Sequence, residues 1–363
     1  MKIHKTILVA PLNWGLGHAT RSIPIIYALL ADGFEVIIAS DGMALTLLQK
    51  EFPQLEGIEL PSYKIEYAKK GKRFKWKMLL RSPKVLKAIR QEREQLKELV
   101  KNKKIDGVIS DNRLGLYHTE IPTVFITHQL QVLSGSTTRL TSAMHRSYIK
   151  KFDECWVPDF ADDANLSGKL GHPKKFEIPV KYIGALSRLE QKETASSYDI
   201  MVLLSGPEPQ RTELEEILMH ELKHYKGQVL FVRGVVEAEQ KVTRKEQVKI
   251  VNFMETEDLQ NAICSSDLVI CRSGYTTIMD LFKLGKKAFF IPTPGQTEQE
   301  YLAKRLHSMG IVPYKDQEKF SLKDLSKVKV FTGFEPLLNQ RRFGEGSFGE
   351  LFGLFKGERK LRS

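Results

Sequence analysis

Short apolar runs alternate with longer amphipathic stretches along almost the whole chain, and this alternation restricts the folds that it can adopt. In the first half these runs are rich in Val, Ile and aromatic residues, as buried strands are, and they lie at 6–10, 34–40, 106–111, 123–129, 155–159 and 181–185. After the first run, Ile23, Ile26, Tyr27 and Leu30 recur at the spacing of one helix face. The pattern predicts a mostly parallel sheet with helices on both faces.

A second series of the same kind follows the polar segment EQKETASSY at 190–198. Its predicted strands run into Gly, Ser or Pro turns and lie at 199–206, 228–234, 248–253, 267–274 and 287–295. We therefore predict two doubly wound, Rossmann-like α/β domains, residues 1–189 and 190–363, with ligands at the carboxyl ends of the strands and in a cleft between the domains. The last helix, at about 335–356, is a candidate to cross back to the N-terminal domain.

Composition disfavours several classes of protein. The 363 residues are 42% apolar and 28% charged, as in ordinary globular proteins, and Cys155, Cys264 and Cys271 form neither a metal-binding nor a disulfide pattern. The first apolar run is too short for a signal-peptide core, and no run approaches the ~20 apolar residues of a transmembrane helix. We expect a cytoplasmic location.

The turn NWGLGHATRS joins the first predicted strand to the first helix. Gly15 and Gly17 match half of a GxGxxG dinucleotide fingerprint, but Thr20 stands at its sixth position. Asp41 follows where a ribose-binding acid would lie, so an NAD-dependent oxidoreductase stays open. His18 would open a helix, where the dipole favours neutral imidazole and so a general base. Capping or packing is its alternative role.

Two further residues occupy the predicted ends of strands in the first half. Asp111 lies in VISDNR and His128 in FITHQ. Either side chain could orient an acceptor or support His18, and loop capping is the alternative for each.

The second half contains two turns suited to a diphosphate. One contains Ser205 and Gly206, and the other opens a helix, where backbone N–H groups and hydroxyls can hold phosphate, with Ser273, Gly274, Thr276 and Thr277. Asp280, one turn later, could bind a ribose or complement the helix dipole. The segment PTPGQTEQEYL adds side chains suited to sugar hydroxyls or to a solvated helix start, namely Gln296, Glu298, Gln299 and Glu300.

Residues 265–306, SSDLVICRSGYTTIMDLFKLGKKAFFIPTPGQTEQEYLAKRL, resemble the donor-binding region of family 28 glycosyltransferases, which have the GT-B fold. A strand, an RSG turn, a helix with an acid, a strand ending at proline and a glutamine-bearing loop occur in the same order. The N-terminal turn is similar to that of a branch of predicted transferases with GxGHATRS. The resemblance implies inverting transfer from a UDP-sugar, such as UDP-N-acetylglucosamine, to a hydroxyl of a lipid-linked or cell-envelope acceptor.

The resemblance also implies a role for individual residues. His18, beside Gly17, would be the base acting on the acceptor hydroxyl. The residues implied to bind the donor are Arg188, Ser205, Gly206, Met254, Ser273, Gly274, Asp280, Gln299 and Glu300. Among them the two Ser–Gly pairs and Arg188 would face the diphosphate, and Asp280 would bind the ribose. The backbone at Met254 would contact the nucleobase, and Gln299 and Glu300 would contact the sugar. Two departures leave the donor sugar open, because Asp280 and Glu300 stand where the family has Glu and Gln.

No metal or other cofactor is expected. The sequence contains no DxD, the acidic pair with which many other transferases hold a divalent ion. Helix N-termini, hydroxyls and Arg188 would then stabilise the leaving group.

The excess positive charge is confined to residues 64–104, which hold 16 Lys or Arg and 4 Glu, whereas the rest of the chain is neutral. Apolar and cationic side chains are mixed at 69–81, which suits a surface resting on anionic lipid. This membrane patch includes Lys69, Lys70, Lys72, Arg73, Phe74 and Trp76. From about Pro83 the pattern is that of an ordinary surface helix. We expect an enzyme peripheral to the inner face of the cytoplasmic membrane, and no nucleic-acid partner.

Two other functions stay open at this point. A UDP-sugar epimerase of the same fold would convert the donor without any acceptor. A non-enzymatic nucleic-acid-binding protein would use the basic segment and bind with a steep salt dependence. The glycines, serines and carboxylates far from that segment favour the transferase.

Charge reversal of the membrane patch tests its assignment. Replacing Lys69, Lys70, Lys72 and Arg73 with Glu should weaken cosedimentation with anionic vesicles, since each basic residue contributes about 1 kcal/mol near such a surface. The same reversal at Lys223, Lys226, Lys241 and Lys245 is the matched control. Equal vesicle binding by both variants would contradict the assignment.

Overall fold

The computed structural model describes residues 5–63, 83–102, 104–133, 138–235, 237, 239–341 and 348–357. These form two compact units that divide between Ser187 and Arg188, and residues 348–357 belong to the first unit. The membrane patch, with Lys69, Lys70, Lys72, Arg73, Phe74 and Trp76, lies outside the described residues.

The first unit is built on a parallel sheet with the strand order β3-β2-β1-β4-β5-β6-β7. The strands are β1 Thr6–Pro11, β2 Glu35–Ser40, β3 Gly57–Glu59, β4 Gly107–Asp111, β5 Thr123–Ile126, β6 Glu154–Val157 and β7 Val180–Tyr182. Its helices are α1 Gly17–Ala31, α2 Gly42–Glu51, α3 Pro83–Lys101 and α4 Thr138–Ile149. Helix α3 buries Val85, Ala88, Ile89 and Leu96, which confirms the prediction of a surface helix from Pro83.

The second unit has a sheet with the order β10-β11-β9-β8-β12-β13, in which only the β10–β11 pair is antiparallel. The strands are β8 Tyr198–Leu203, β9 Val229–Val232, β10 Val242–Lys245, β11 Val248–Val251, β12 Ser266–Cys271 and β13 Ala288–Phe290. The helices are α5 Gln210–Leu222, α6 Thr256–Cys264, α7 Tyr275–Lys283, α8 Thr297–Ser308 and α9 Glu335–Arg341. Short 3₁₀ segments lie at Gly168–Leu170 in the first unit and at Gln317–Lys319 and Leu322–Val330 in the second.

The predicted fold class, two mostly parallel α/β sheets, is confirmed. All eleven predicted strands are present, and their apolar side chains supply the cores, for example Leu8, Ile37 and Val108 in the first sheet and Val202, Phe231 and Ile270 in the second. Strands β3 and β10 were not predicted. The first has three residues, and the second, VTRK, is exposed along its length and so lacks an apolar signal.

The described residues of the predicted last helix, about 335–356, lie in α9, in α10 Phe348–Leu351 and in α11 Gly353–Lys356, and Phe352 separates the last two. Glycine in this segment disfavours a continuous helix, and Gly357 ends α11 with a φ of 101°. Phe355 packs its ring against Phe34 and Trp156, at centroid distances of 6.5 and 6.3 Å. A Cβ at Gly107 would lie 2.6 Å from the Phe355 ring, so α11 approaches the β4 backbone closely.

No helix in the described part of the chain combines the length and the apolar character that crossing a membrane requires.

Phe355→Ala should destabilise the first unit by about 3–5 kcal/mol, because it opens a cavity beneath a ring that is 1% exposed. Urea unfolding followed by tryptophan fluorescence measures this loss. Leu140→Ala, at a position in the same unit that is 43% exposed, should change the free energy of unfolding by less than about 0.5 kcal/mol. Similar losses for both variants would contradict the packing described for Phe355.

Candidate active site

The carboxyl edge of the first sheet brings together three residues that the sequence analysis selected. Strands β1 and β4 are neighbours, with Pro11 opposite Asp111, and β5 lies beside β4. His18 is in the first turn of α1, Asp111 is the last residue of β4, and His128 follows β5 by two residues. The strand order reverses at β1–β4, which is where ligands bind in open α/β sheets.

One arginine connects these three side chains. The Nδ1 atom of His18 lies 2.8 Å from Oδ1 of Asp111. Arg21 donates hydrogen bonds from Nε and Nη2 to both oxygens of Asp111, and its Nη1 lies 3.2 Å from Nδ1 of His128. The side chains of Arg21 and Asp111 are each 2% exposed, and that of His18 is 13% exposed.

The charges in this cluster are set by burial and by Arg21. Burial favours the protonated form of Asp111, but the charges and hydrogen bonds of Arg21 and His18 outweigh it and lower the pKa to about 2. Burial lowers the pKa of His18 below its ordinary value; Asp111 opposes that shift and Arg21 adds to it. Asp111 is therefore a carboxylate and His18 a neutral imidazole at neutral pH.

The turn before α1 places His18 and Arg21 on one helix face. Gly15 has a φ of 68°, which side chains with a Cβ rarely adopt, whereas Gly17 begins the helix. Arg21 lies three residues after His18, a spacing that puts both on the same face. The sequence analysis did not select Arg21, although this spacing was a usable signal.

The loop after β4 is held by a second buried network. Arg113 pairs with Asp41 and donates from Nη1 to Oε1 of Glu92 at 2.7 Å, while Tyr63 donates to the other Glu92 oxygen at 2.7 Å. Asn112, with a φ of 60°, donates to Oδ1 of Asp111 at 3.3 Å. Sequence reasoning missed Arg113 and Glu92, because their partners are distant in the chain, and it missed Asn112, whose positive φ only the structure shows.

Asp41 is consequently unsuited to the ribose role that an NAD-dependent enzyme would give it. One of its oxygens pairs with Arg113, and the other accepts a hydrogen bond from Nδ2 of Asn13 at 3.2 Å. The carboxylate is 6% exposed, so a ribose would have to displace a buried ion pair. This geometry disfavours the oxidoreductase.

The second sheet collects the predicted diphosphate residues at its own carboxyl edge. Strands β8 and β12 are neighbours, with Leu203 opposite Cys271, and β13 lies on the other side of β12. Ser205 and Gly206 follow β8, and Ser273 and Gly274 follow β12, so each pair lies two and three residues beyond the paired positions. Ser205 and Gly206 are exposed, and Gly206 has a φ of 102°.

Helix α7 begins within this edge. Gly274 is its N-cap residue, and Thr276 and Thr277 are half-buried in its first turn. Ser273 is buried, and its hydroxyl donates to the carbonyl of Gln299 at 2.8 Å. The backbone at Ser273, rather than its hydroxyl, is therefore the group suited to a phosphate.

The predicted sugar-reading residues lie at the start of α8, where Gln296 is the N-cap. The Gln299 side-chain oxygen accepts from the N–H of Thr293 at 2.9 Å, and a Glu300 oxygen accepts from the N–H of Gly295 at 2.9 Å. Both side chains thus hold the loop after β13. The remaining candidates are half-buried: Glu298 beside them, Asp280 in α7, Met254 after β11 and Arg188 at the start of the second unit.

Among the residues that the structure describes, no three His, Cys, Asp or Glu side chains come together as metal ligands would.

Asp111→Asn should cost about 3–5 kcal/mol of stability at pH 7, because it leaves the buried Arg21 charge uncompensated. The folded pKa of about 2 lies below the ordinary value, so this contribution is present above about pH 4 and is lost as the pH falls through 2. Urea unfolding at pH 7, 4 and 3 should show the difference from wild type narrowing. Glu94→Gln, at a side chain that is 69% exposed, is the control. A difference independent of pH would contradict the ion pair.

Known proteins are similar to this chain in fold, and a known family domain matches part of the second unit. The glycosyltransferase family 28 C-terminal domain matches residues 211–330. The UDP-N-acetylglucosamine--N-acetylmuramyl-(pentapeptide) pyrophosphoryl-undecaprenol N-acetylglucosamine transferase of Glaesserella parasuis serovar 5 is 25% identical over 93% of this chain and 91% of its own length. The enzyme of the same name from Haemophilus influenzae (strain PittGG) is 25% identical over 60% of this chain and 61% of its own length.

Solved structures share the whole architecture. The glycotransferase of kitacinnamycin superposes with a TM-score of 0.65 at 14% identity, over 98% of this chain and all of that one. Acinetobacter baumannii MurG superposes with a TM-score of 0.55 at 14% identity, over 97% of this chain and 99% of that one. Residues 211–330 therefore match the glycosyltransferase family 28 C-terminal domain, in a chain whose two-sheet fold is similar to that of the GT-B glycosyltransferases.

Proposed function

We propose that this protein is an inverting glycosyltransferase that moves a sugar from a UDP-sugar to a hydroxyl of a lipid-linked or other cell-envelope acceptor. The observation that carries the proposal is the contact between His18 and Asp111 at the switch point of the first sheet. The family 28 domain in the second unit supports it, since the relatives are named for a UDP-N-acetylglucosamine donor and an undecaprenol-linked acceptor.

His18 is suited to act as the general base. In the tautomer with its proton on Nδ1, the imidazole donates to Asp111 and its Nε2 lone pair is available. Nη2 of Arg21 also lies 2.8 Å from Nδ1, whereas Nε2 makes no hydrogen bond to any residue in the described ranges. Nε2 takes the proton of the acceptor hydroxyl while that oxygen bonds to the anomeric carbon. The bond from this carbon to the diphosphate oxygen breaks on the opposite face, and its electron pair leaves with UDP.

Asp111 and Arg21 shift the pKa of His18 in opposite directions. The carboxylate orients the imidazole and stabilises the imidazolium that forms. Arg21 keeps the carboxylate ionised and opposes protonation of His18 before the reaction. His128, which contacts Arg21, faces the same edge and is suited to positioning the acceptor.

The second unit supplies the donor side. The N–H groups at the start of α7 and the exposed backbone at Ser205 and Gly206 are suited to the diphosphate, whose charge grows as the glycosidic bond breaks. Asp280 and Arg188 keep the donor roles that the resemblance implies, and the hydroxyls of Thr276 and Thr277, in the first turn of α7, are suited to the same phosphates. Gln299 and Glu300 shape the adjoining loop, so their effect on the donor sugar would be at least partly indirect.

The relatives and the charge distribution support the proposed acceptor and location. An acceptor linked to a polyprenyl diphosphate would present a hydroxyl at an anionic membrane surface, and the membrane patch is suited to that surface. We place the reaction at the inner face of the cytoplasmic membrane, without a metal ion.

His18→Ala should abolish acceptor-dependent UDP release and leave UDP affinity within about twofold of wild type, because it removes the base and no donor contact. UDP release is measured with UDP-N-acetylglucosamine and undecaprenyl-diphosphate-linked N-acetylmuramyl pentapeptide, and UDP affinity by titration calorimetry. His224→Ala, at an exposed position of the second unit, is the matched control. Full turnover by the His18 variant would remove this residue as the base.

Incubating the UDP-sugar without acceptor, and analysing the sugar nucleotide afterwards, distinguishes the transferase from an epimerase. Conversion of the UDP-sugar to its epimer without acceptor would establish the epimerase and overturn the transferase. A panel of UDP-sugars in a thermal-shift experiment identifies the donor, because a ligand that binds the folded protein raises its unfolding temperature.

A further inference from the structure

Thr293 carries a buried hydroxyl that the protein itself does not satisfy. The residue lies three positions after β13, at the edge shared with β8 and β12, and is 4% exposed. Its Oγ1 atom forms no hydrogen bond with any residue in the described part of the chain. Folded proteins pair nearly all buried polar groups, because an unpaired one costs free energy. At the edge where the donor residues meet, a hydroxyl of this kind is a group that a ligand can pair.

The hydroxyl points at the turn after β8. A Cβ placed on Gly206 would meet Oγ1 of Thr293 at 3.8 Å, and no other heavy atom would lie within 4 Å of that Cβ among the described residues. Gly206 is exposed and adopts a φ of 102°. The Thr293 hydroxyl therefore borders open space beside a backbone that a ligand can approach.

The backbone of Thr293 is held in place independently of its hydroxyl. Its N–H donates to the side-chain oxygen of Gln299 at 2.9 Å, and the carbonyl of Gln299 accepts from the hydroxyl of Ser273 at 2.8 Å. Ser273 directly precedes Gly274, the N-cap of α7. These bonds fix the position of Thr293 relative to the start of that helix.

A buried positive charge lies beneath the same loop. Arg272, 1% exposed, donates from Nη1 to the carbonyls of Ile291 and Pro292 at 3.0 and 3.2 Å and from Nη2 to Gln317 at 2.7 Å. Its Nε has no partner among the described residues, and the one carboxylate whose charge acts on it, that of Glu213, forms no ion pair with it. Burial lowers the pKa of Arg272 to about 10, so the group stays charged at neutral pH. A cation with carbonyl partners favours an anion nearby.

We propose that the hydroxyl of Thr293 donates a hydrogen bond to a phosphate oxygen of the bound nucleoside diphosphate, beside Gly206. This role rests on the proposed function and adds to the donor site a residue that neither the sequence analysis nor the resemblance selected. Arg272 acts on the same phosphate through its charge and by holding the carbonyls that precede Thr293.

Thr293→Val tests the role with a side chain of nearly the same shape. UDP should bind this variant about tenfold more weakly, the factor typical of a hydrogen bond to a charged group. Uridine, which has no phosphate, should bind it as it binds wild type. Thr293→Ser keeps the hydroxyl and should stay close to wild type for both ligands, and Thr243→Val, on the exposed strand β10, is the matched control. Titration calorimetry measures the affinity of wild type and of each variant for UDP and for uridine.

Stability separates a ligand contact from a structural one. Without ligand, Thr293→Val should unfold at the same or a higher urea concentration than wild type, because the substitution removes an unpaired buried hydroxyl. Wild-type affinity for UDP in Thr293→Val, or an equal loss for uridine and UDP together with lower stability, would overturn the proposal. If the wild-type protein binds no UDP, the proposed function fails, and the role of Thr293 fails with it.

Discussion

The candidate site of the first unit depends on the ion pair of a carboxylate that is buried at the end of β4. Asp111 is almost inaccessible to water, so its charge needs a compensating partner, and Arg21 supplies it with two donors. The arginine can reach Asp111 only because β1 and β4 are adjacent and the turn before α1 lies over their ends. The same arrangement brings Nδ1 of His18 to 2.8 Å from the carboxylate, so the ion pair and the candidate base depend on each other.

At the carboxyl edge of the second sheet, the groups suited to a ligand are mainly backbone groups. Three neighbouring strands, β8, β12 and β13, end at one edge, and each is followed by a turn of small or hydroxyl-bearing residues. The side chains of Ser273, Gln299 and Glu300 form hydrogen bonds that hold these turns together. Side chains suited by type to sugar recognition thus shape the loops, while exposed N–H groups and the Thr293 hydroxyl are left for a ligand.

The fold was largely predictable from the sequence, because buried parallel strands are continuous apolar runs and the turns between them contain Gly, Ser and Pro. The exceptions show the limits of that signal: β3 is only three residues long, and β10 is exposed and polar. The site was predictable in part. Asp111 ends a strand and His18 and His128 follow strands, and such residues meet at one edge once the strand order is known. Asp41 has the position expected of a ribose-binding acid, yet Arg113, 72 residues away in the chain, occupies its carboxylate.

The strand–helix alternation, the two series of strands and the residue types at the strand ends can be inferred from the amino-acid sequence, because they depend on local periodicity and on the backbone preferences of glycine. The pairing of charges cannot. Arg21 with Asp111, Arg113 with Asp41 and Glu92, and the unpaired hydroxyl of Thr293 depend on burial and on which strands are neighbours. The free energy of a buried charge depends on partners within a few ångströms, and chain folding brings those partners from distant positions in the sequence.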